Sequence, residues 1–258
     1  MVNSQLDTLL EKLFPRQCLL CRQASHNPQP LCHDCRTSLP LNHCACEQCA
    51  LPLPTGAAPG ALCESCLEGQ RDFDRVIAPL VYGPGIRQLV SAWKYRRQTL
   101  LSPLLASLWL EHLTQLPACD LLLPVPLHWR RQLWRGFNQA ALLGRALQRS
   151  HPALAGIPLL EGGLQRRQHT RHQAGLGAGA REANLAGSFR LRAEVNGLRV
   201  AVIDDVVTTG ATAREVAAVL KDGGAASVQI WSLARTPAHP ATLAGPASGL
   251  SAEYAAPQ

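Results

Sequence analysis

Val200-Ala201-Val202-Ile203-Asp204-Asp205-Val206-Val207-Thr208-Thr209-Gly210-Ala211-Thr212 is an apolar strand that ends in two carboxylates and turns through hydroxyls and a glycine into a helix beginning near Ala211. The β-branched run Val200, Val202, Ile203 is apolar on both faces, as in a parallel strand covered by helices. The helix is marked by Val216, Val219 and Leu220 at helical spacing, and Asp222-Gly223-Gly224 stops it. At the junction, the free N–H groups of the first helical turn and the positive end of the helix dipole favour an anion. Thr208, Thr209 and Thr212 add hydroxyl donors, and Gly210 lets the backbone approach an oxyanion closely. Asp204 and Asp205 stand one sugar's width away, placed to accept hydrogen bonds from vicinal hydroxyls. The segment is therefore shaped for a sugar phosphate such as ribose 5-phosphate. The plainer alternative is an acidic strand end with a Thr-rich cap and no ligand; two adjacent carboxylates, read as unpaired, weigh against it. No Gly-x-x-x-x-Gly-Lys-Ser/Thr occurs, which excludes a P-loop.

Nine of the ten cysteines fall between Cys18 and Cys66. Four Cys-x-x-Cys pairs stand out: Cys18/Cys21, Cys32/Cys35, Cys46/Cys49 and Cys63/Cys66. Paired knuckles of this kind present four thiolates at tetrahedral spacing, which suits zinc. Two structural zinc sites are expected, the simpler pairing being sequential, with an interleaved arrangement open. A disulfide framework needs an oxidising compartment, and the stretch Met1 to Lys12 has acidic residues inside its apolar run and no basic leader. Cys44 is a spare thiol, with His26, His33 and His43 as substitute ligands, and Cys119 reads as a small core residue.

A chain of 258 residues with 47% hydrophobic content buries a full core beside a small metal-stapled module. Three units are expected: a zinc-ribbon domain with a short N-terminal helix at 1–70, an α/β domain at 71–236, and a disordered tail at 237–258 rich in Ala, Pro, Gly and Ser. No apolar run is long enough to cross a bilayer, so no membrane insertion and a cytoplasmic location are expected. The net charge of +7 comes almost wholly from arginine, because Lys12, Lys94 and Lys221 are the only lysines. Guanidinium recognises phosphate bidentately, which fits a polyphosphate ligand or nucleic acid.

After Leu6 to Phe14, an amphipathic helix, the cysteine module runs to about Gly69. Alternation of strands and helices then begins. Arg75 to Tyr82 reads as a strand broken at Pro79, Gly85 to Arg97 and Leu100 to Leu116 as helices, and Asp120 to Val125 as a buried strand. Phe137 to Arg149 is a helix packing through Ala140, Ala141, Leu143, Gly144 and Leu147. Leu159 to Leu164 is a short strand, and Gln165 to Ala180, rich in Arg, His, Gln and Gly, a mobile loop. Phe189 to Leu191, Arg199 to Ile203 and Ser227 to Ala234 complete the strands. This order implies a parallel sheet with helices on both faces, which binds ligands beyond the carboxyl ends of its strands.

The gapless match Val202 to Thr212 resembles the motif by which type I phosphoribosyltransferases bind 5-phosphoribosyl 1-pyrophosphate (PRPP). A further segment sharpens the resemblance: Leu121-Leu122-Leu123-Pro124-Val125-Pro126-Leu127, a basic loop with Arg130-Arg131, then Arg135-Gly136-Phe137-Asn138-Gln139-Ala140. With the cysteine module, Trp93-Lys94-Tyr95, Arg166-Arg167-Gln168-His169 and Arg181-x-x-Asn184-x-x-Gly187-x-Phe189, the chain resembles the ComF/GntX family. Those proteins are phosphoribosyltransferase-like and linked to competence and the use of external DNA. The resemblance spans Cys18 to Arg235.

It implies a type I phosphoribosyltransferase-like sheet behind a double zinc ribbon. Thr208, Thr209, Gly210, Ala211 and Thr212 would hold the 5-phosphate, and Asp204 and Asp205 the ribose hydroxyls. The turn of Pro126 and Leu127, with Arg130, Arg131 or Arg135, is the candidate pyrophosphate contact, and Mg²⁺ would arrive with PRPP. Gln165 to Gly179 would close over the site, with Arg167 and Arg171 as its cations. A solvated loop competes for those arginines, surface positions for His128 and His169, and helix capping for Asn138 and Gln139. Trp129, Trp134 and Trp231 read equally as core or stacking residues. Three functions follow: transfer of ribose 5-phosphate to an unidentified base or amine, a PRPP or nucleotide sensor without turnover, or a protein whose ribbons and arginines contact single-stranded DNA or DNA-uptake and recombination proteins.

Overall fold

A computed structural model of the chain describes residues 16–25, 29–69, 72–95, 98–113, 115–166 and 187–238. The expected helix at Leu6 to Phe14, the tail from 239, and Arg167, His169 and Arg171 lie outside the described residues.

The cysteine module holds two short strands, β1 (Arg16–Gln17) and β2 (Ala24–Ser25), paired antiparallel, and two short helices, α1 (His33–Thr37) and α2 (Glu64–Leu67). Then follow β3 (Arg75–Ile77), β4 (Leu80–Val81), α3 (Pro84–Tyr95), a 3₁₀ turn at Thr99–Leu101 and α4 (Ser102–Glu111). The second half runs β5 (Leu121–Pro124), α5 (Trp129–Arg135), α6 (Gln139–Ser150), α7 (Pro152–Ala155), β6 (Leu164–Arg166), β7 (Phe189–Leu191), β8 (Arg199–Val207), α8 (Ala211–Asp222) and β9 (Ser227–Arg235).

The main sheet is parallel, in the order β3-β9-β8-β5, with β4 continuing along β9. Alternation along β8 divides the core. Ala201 and Ile203 face α3, α4 and α6, with Trp109 and Trp231 stacked at 5.0 Å between ring centres, whereas Val200 and Val202 face α8 and the antiparallel pair β6/β7. Both faces are therefore covered, which is what the continuous apolar strands require.

The cysteine module belongs to the same packing. Cys18, Leu31 and Leu39 join the core of α3 and α4; Cys46, Cys49, Cys63 and Cys66 join that of α8. Its backbone also covers the open sheet edge: Asn42 N–H donates to Pro79 O, Val81 N–H to Pro40 O and Val76 N–H to Gln48 O, each at 2.8 Å. The edge is thereby removed as a pairing hazard.

Three expectations change. The basic stretch after Pro126, read as a loop, is the helix α5: His128 caps it by accepting from Arg130 N–H, and Gly136 at φ +79° closes it. Trp129, Leu133 and Trp134 are exposed along it, so no buried stripe announces the helix in sequence. No strand spans Leu159 to Leu164; Leu159 makes a single bridge to Leu122, and the strand falls at β6, inside the segment read as a loop from Gln165. β8 runs through Asp204 and Asp205 to Val207, because β9 extends equally far and pairs Asp204 with Ser232 and Val207 with Arg235.

Candidate functional site

Cys18, Cys21, Cys32 and Cys35 form one group and Cys46, Cys49, Cys63 and Cys66 a second, with ligand atoms within 4.8 Å of one another in each. Pairing is sequential. Thiolates arranged tetrahedrally at about 2.3 Å from a zinc stand about 3.8 Å apart. Cys21 and Cys32 Sγ are 3.8 Å apart and Cys49 and Cys63 Sγ 3.5 Å, far longer than a disulfide, and all ten cysteines are free. The sulfurs also receive backbone donors: Cys35 N–H points at Cys32 Sγ (3.4 Å) and Cys63 N–H at Cys46 Sγ (3.3 Å). Burial opposes ionisation of Cys18 and Cys46, but the backbone N–H groups around each outweigh it and bring them down to about 6 and about 7, whereas burial and the neighbouring thiols push Cys35 and Cys66 up. The donor set fits structural zinc. Cys44 stands outside both groups, and Cys119 is buried, its thiol pushed up to about 11 by burial, as a core residue would be.

The acidic pair sits where β8 emerges from the sheet. Asp205 is buried, and it is not unpaired: Lys94, on the last turn of α3, forms an ion pair with Oδ2, Gln139 Nε2 donates to the same oxygen at 3.0 Å, and Oδ1 accepts from Val206 N–H at 2.7 Å. The fold thus brings α3 and the start of α6 onto β8. Close approach of α6 to the sheet needs Gly144, where a Cβ would stand 2.9 Å from both Ile203 Cδ1 and Leu159 Cδ1. Asn138 is an N-cap: its Oδ1 accepts from Ala140 N–H and its Nδ2 braces Val125 O, both at 3.0 Å.

Asp204 accepts from Asp205 N–H at 2.8 Å and is otherwise in a different situation from its neighbour. Burial, reinforced by the charge of Asp205, pushes its carboxyl up to about 7, with Lys94 acting against them. Two carboxylates side by side thus differ in surroundings: Asp205 is held by Lys94, whereas desolvation and the neighbouring charge raise the pKa of Asp204. Arg166, at the end of β6, lies within electrostatic reach of Asp204, Glu215 and Arg131, with its guanidinium 5.5 Å from the Phe189 ring centre.

Beyond the acids, the chain turns at Gly210, φ +80°, a conformation that favours glycine. Gly210, the N-cap of α8, offers no side-chain acceptor, and Thr209 Oγ1 takes up one free donor, the Ala211 N–H, at 3.3 Å. The remaining N–H groups of the first turn of this twelve-residue helix stand beside Thr208 and Thr212, close in sequence to the two carboxylates, and a free helix start of this kind favours an anion. Pro126 and Leu127 lie in the turn after β5, adjacent to β8 because Pro124 pairs with Ile203 and Val125 N–H donates to Ile203 O at 2.9 Å. Arg135 is buried with its guanidinium 5.0 Å from the centre of the Tyr95 ring, and its Nε has no hydrogen-bond partner among the described residues. Of the three tryptophans left open, Trp231 is core, whereas Trp129 and Trp134 are exposed.

Lys94, Gln139 and Arg166 make contacts here that the sequence alone did not assign, as does Arg235, buried at the end of β9 with its Nε donating to Cys49 O at 3.1 Å. Lys94 carried one signal, being among three lysines in the chain and within Trp93-Lys94-Tyr95. Arg235 carried another, as a charged residue closing a buried strand.

A double zinc ribbon domain family matches residues 9–67. DNA utilization protein YhgH of Salmonella typhi is 36% identical over 232 residues, 86% of this chain and 98% of that protein. Competence protein F of Haemophilus influenzae is 32% identical over the same shares. Among solved structures, glutamine PRPP amidotransferase from B. subtilis is 23% identical over 55% of this chain and 27% of that one, with a TM-score of 0.35, an overlap too loose to place a residue.

Proposed function

The chain belongs to the ComF/GntX family, that of DNA utilization protein YhgH and competence protein F, and from that premise we propose that it binds PRPP as part of the uptake and use of DNA. The observation that carries the reading is the junction of β8 and α8, where two adjacent carboxylates stand beside a glycine-capped helix start at the carboxyl end of a parallel sheet. In this arrangement Thr208, Thr209, Gly210, Ala211 and Thr212 take the 5-phosphate, and Asp204 and Asp205 the ribose hydroxyls. Lys94 and Gln139 hold Asp205 in one orientation. Pro126, Leu127 and Arg135 face the pyrophosphate, with Mg²⁺ arriving on the ligand to offset leaving-group charge.

Such a site also suits transfer. The bond from the anomeric carbon to pyrophosphate breaks with its electron pair leaving on pyrophosphate, and an acceptor's lone pair bonds to that carbon while its proton passes to solvent or a carboxylate. Asp204, Asp205 and, from the segment after β6, Arg167 are the proposed participants. Reduced thiols in both zinc groups and a ligand made inside cells support a cytoplasmic site of action. Calorimetry with PRPP and Mg²⁺ on wild type and on Asp204→Asn/Asp205→Asn tests the binding: a large loss in the variant is expected, and equal affinity removes the site. Pyrophosphate release with a panel of nucleobases separates an enzyme from a sensor.

A second reading has its own observation. α5 exposes Trp129, Leu133 and Trp134 together with Arg130 and Arg131, and Tyr95 extends the patch, its ring 5.9 Å from that of Trp134. Aromatic faces interleaved with guanidinium groups suit stacked bases and phosphates, so single-stranded DNA is the proposed partner of this face. Binding should fall steeply with salt and weaken on Trp134→Ala; a flat salt response rejects it.

A further inference from the structure

Arg235 closes β9 with only 6% of its surface exposed. Among the described residues no carboxylate pairs with it. Its guanidinium lies instead among backbone carbonyls: Nε donates to Cys49 O at 3.1 Å, and Nη1 is directed at Val207 O (3.1 Å), Thr208 O and Thr236 O (3.3 Å). Cys49 belongs to the second zinc group, Val207 is the last residue of β8, and Thr208 opens the phosphate loop. One side chain therefore spans from a metal knuckle to the anion nest. Beside it the two parts are separated by a cavity of ≈170 Å³ bounded by Cys63, Ser65, Phe73, Thr209, Gly210 and Arg214. Hydrogen bonds to the guanidinium bridge a gap that packing leaves open.

Electrostatics gives a reason for a cation at this point. An isolated buried guanidinium is costly. Four thiolates around a zinc carry a net charge of about −2, and on the other side of the loop a phosphate brings further negative charge. Arg235 stands between these two anions, and each lowers the cost of burying it.

We propose that Arg235 is a positioning residue that couples the second zinc centre to the phosphate loop, so that metal occupancy at Cys46, Cys49, Cys63 and Cys66 sets the affinity of that loop for the 5-phosphate of a ribose phosphate. Among the described residues the first zinc centre has no such link. The inference rests on the reading of the loop as a PRPP site.

The test uses the full-length protein with zinc exchanged for Co²⁺, whose thiolate absorption reports on the knuckle. Wild type, Arg235→Lys and Arg235→Met are titrated with ribose 5-phosphate and, separately, with magnesium pyrophosphate, by calorimetry and absorption. In wild type, ribose 5-phosphate should shift the cobalt band. In Arg235→Met it should bind about tenfold more weakly, the worth of about one hydrogen bond to a charged group, with no shift. Magnesium pyrophosphate affinity and the cobalt content should be unchanged, and Arg235→Lys should lie between. Equal loss of both ligands with a lower Tm would make Arg235 merely structural and overturn the proposal. So would unchanged ribose 5-phosphate affinity in Arg235→Met, or, with no variant needed, a silent cobalt band while wild type binds ribose 5-phosphate. Wild type that binds neither PRPP nor ribose 5-phosphate sinks the PRPP reading itself, and this inference with it.

Discussion

Cys18, Cys21, Cys32 and Cys35 lie against α3 and α4, whereas Cys46, Cys49, Cys63 and Cys66 lie under the sheet edge, one guanidinium away from the proposed phosphate loop. The first group is half-exposed and tied to the body by side chains on its outside: Arg36 reaches Glu111 and Ser107 Oγ on α4, and Gln88 Nε2 donates to Leu19 O at 2.8 Å. The second is buried throughout and shares its core with Val202, Val207 and Val216. Two knuckle pairs of the same ligand chemistry thus do different work. One fastens the ribbon to a helical face, and the other forms part of the wall behind the proposed ligand site.

Removing one metal at a time gives the largest contrast. Cys66→Ser should cost zinc, several degrees of Tm and at least about tenfold in PRPP affinity, since a structural zinc contributes folding energy outright. Cys32→Ser should lose one zinc as well but leave PRPP affinity within about twofold. Elemental analysis and calorimetry on both check this, and equal losses of affinity would erase the distinction between the two centres.

Changes at the acids should leave both metals in place. Asp205→Asn leaves Lys94 without its partner in a largely buried position, a change expected to cost about 3 kcal/mol in denaturant unfolding and to abolish PRPP binding with the zinc content intact. Zinc loss in that variant would show that the second centre and the acids are one cooperative unit.

Asp204 should behave oppositely towards stability. Its folded pKa, about 7, is above the unfolded value, so between about pH 4 and pH 7 the folded state keeps a proton that the unfolded chain has released. Stability contributed by the neutral carboxyl is present at low pH and lost as pH rises through that window. Asp204→Asn should accordingly raise Tm at pH 8, change it little at pH 4, and still lose PRPP. The charged groups around Asp204 are Asp205 on its own strand, Lys94 from α3 and Arg166 from β6. A Tm that falls at pH 8 would place the proton elsewhere.

The smallest effect is expected outside the first centre. Arg36→Met removes a partly exposed ion pair to Glu111, so it should cost about 1 kcal/mol or less and leave PRPP affinity alone.

Much of this contrast can be read in the chain itself. The four-cysteine groups, the loop proposed for phosphate and the alternation of elements rest on local signals: cysteines three apart, β-branched runs, a glycine between a strand and a helix. Such signals come from backbone preference and short-range geometry, which a linear sequence records directly. α5 escaped because its apolar residues face outward, and the true length of β8 escaped because it depends on how far β9 accompanies it. Asp205 looked unpaired because its partners lie far off in the chain, at Lys94 and Gln139.

The two four-cysteine groups and the turn at Gly210 from strand to helix were therefore legible in residue order alone, since neighbours in the chain supply every group involved or nearly so. The unlike surroundings of Asp204 and Asp205, the choice of knuckle that touches the loop, and the bridge through Arg235 came only from packing. Each depends on desolvation and on hydrogen bonds between residues up to 186 positions apart, and no local pattern encodes which distant groups a folded chain will bring within hydrogen-bonding reach.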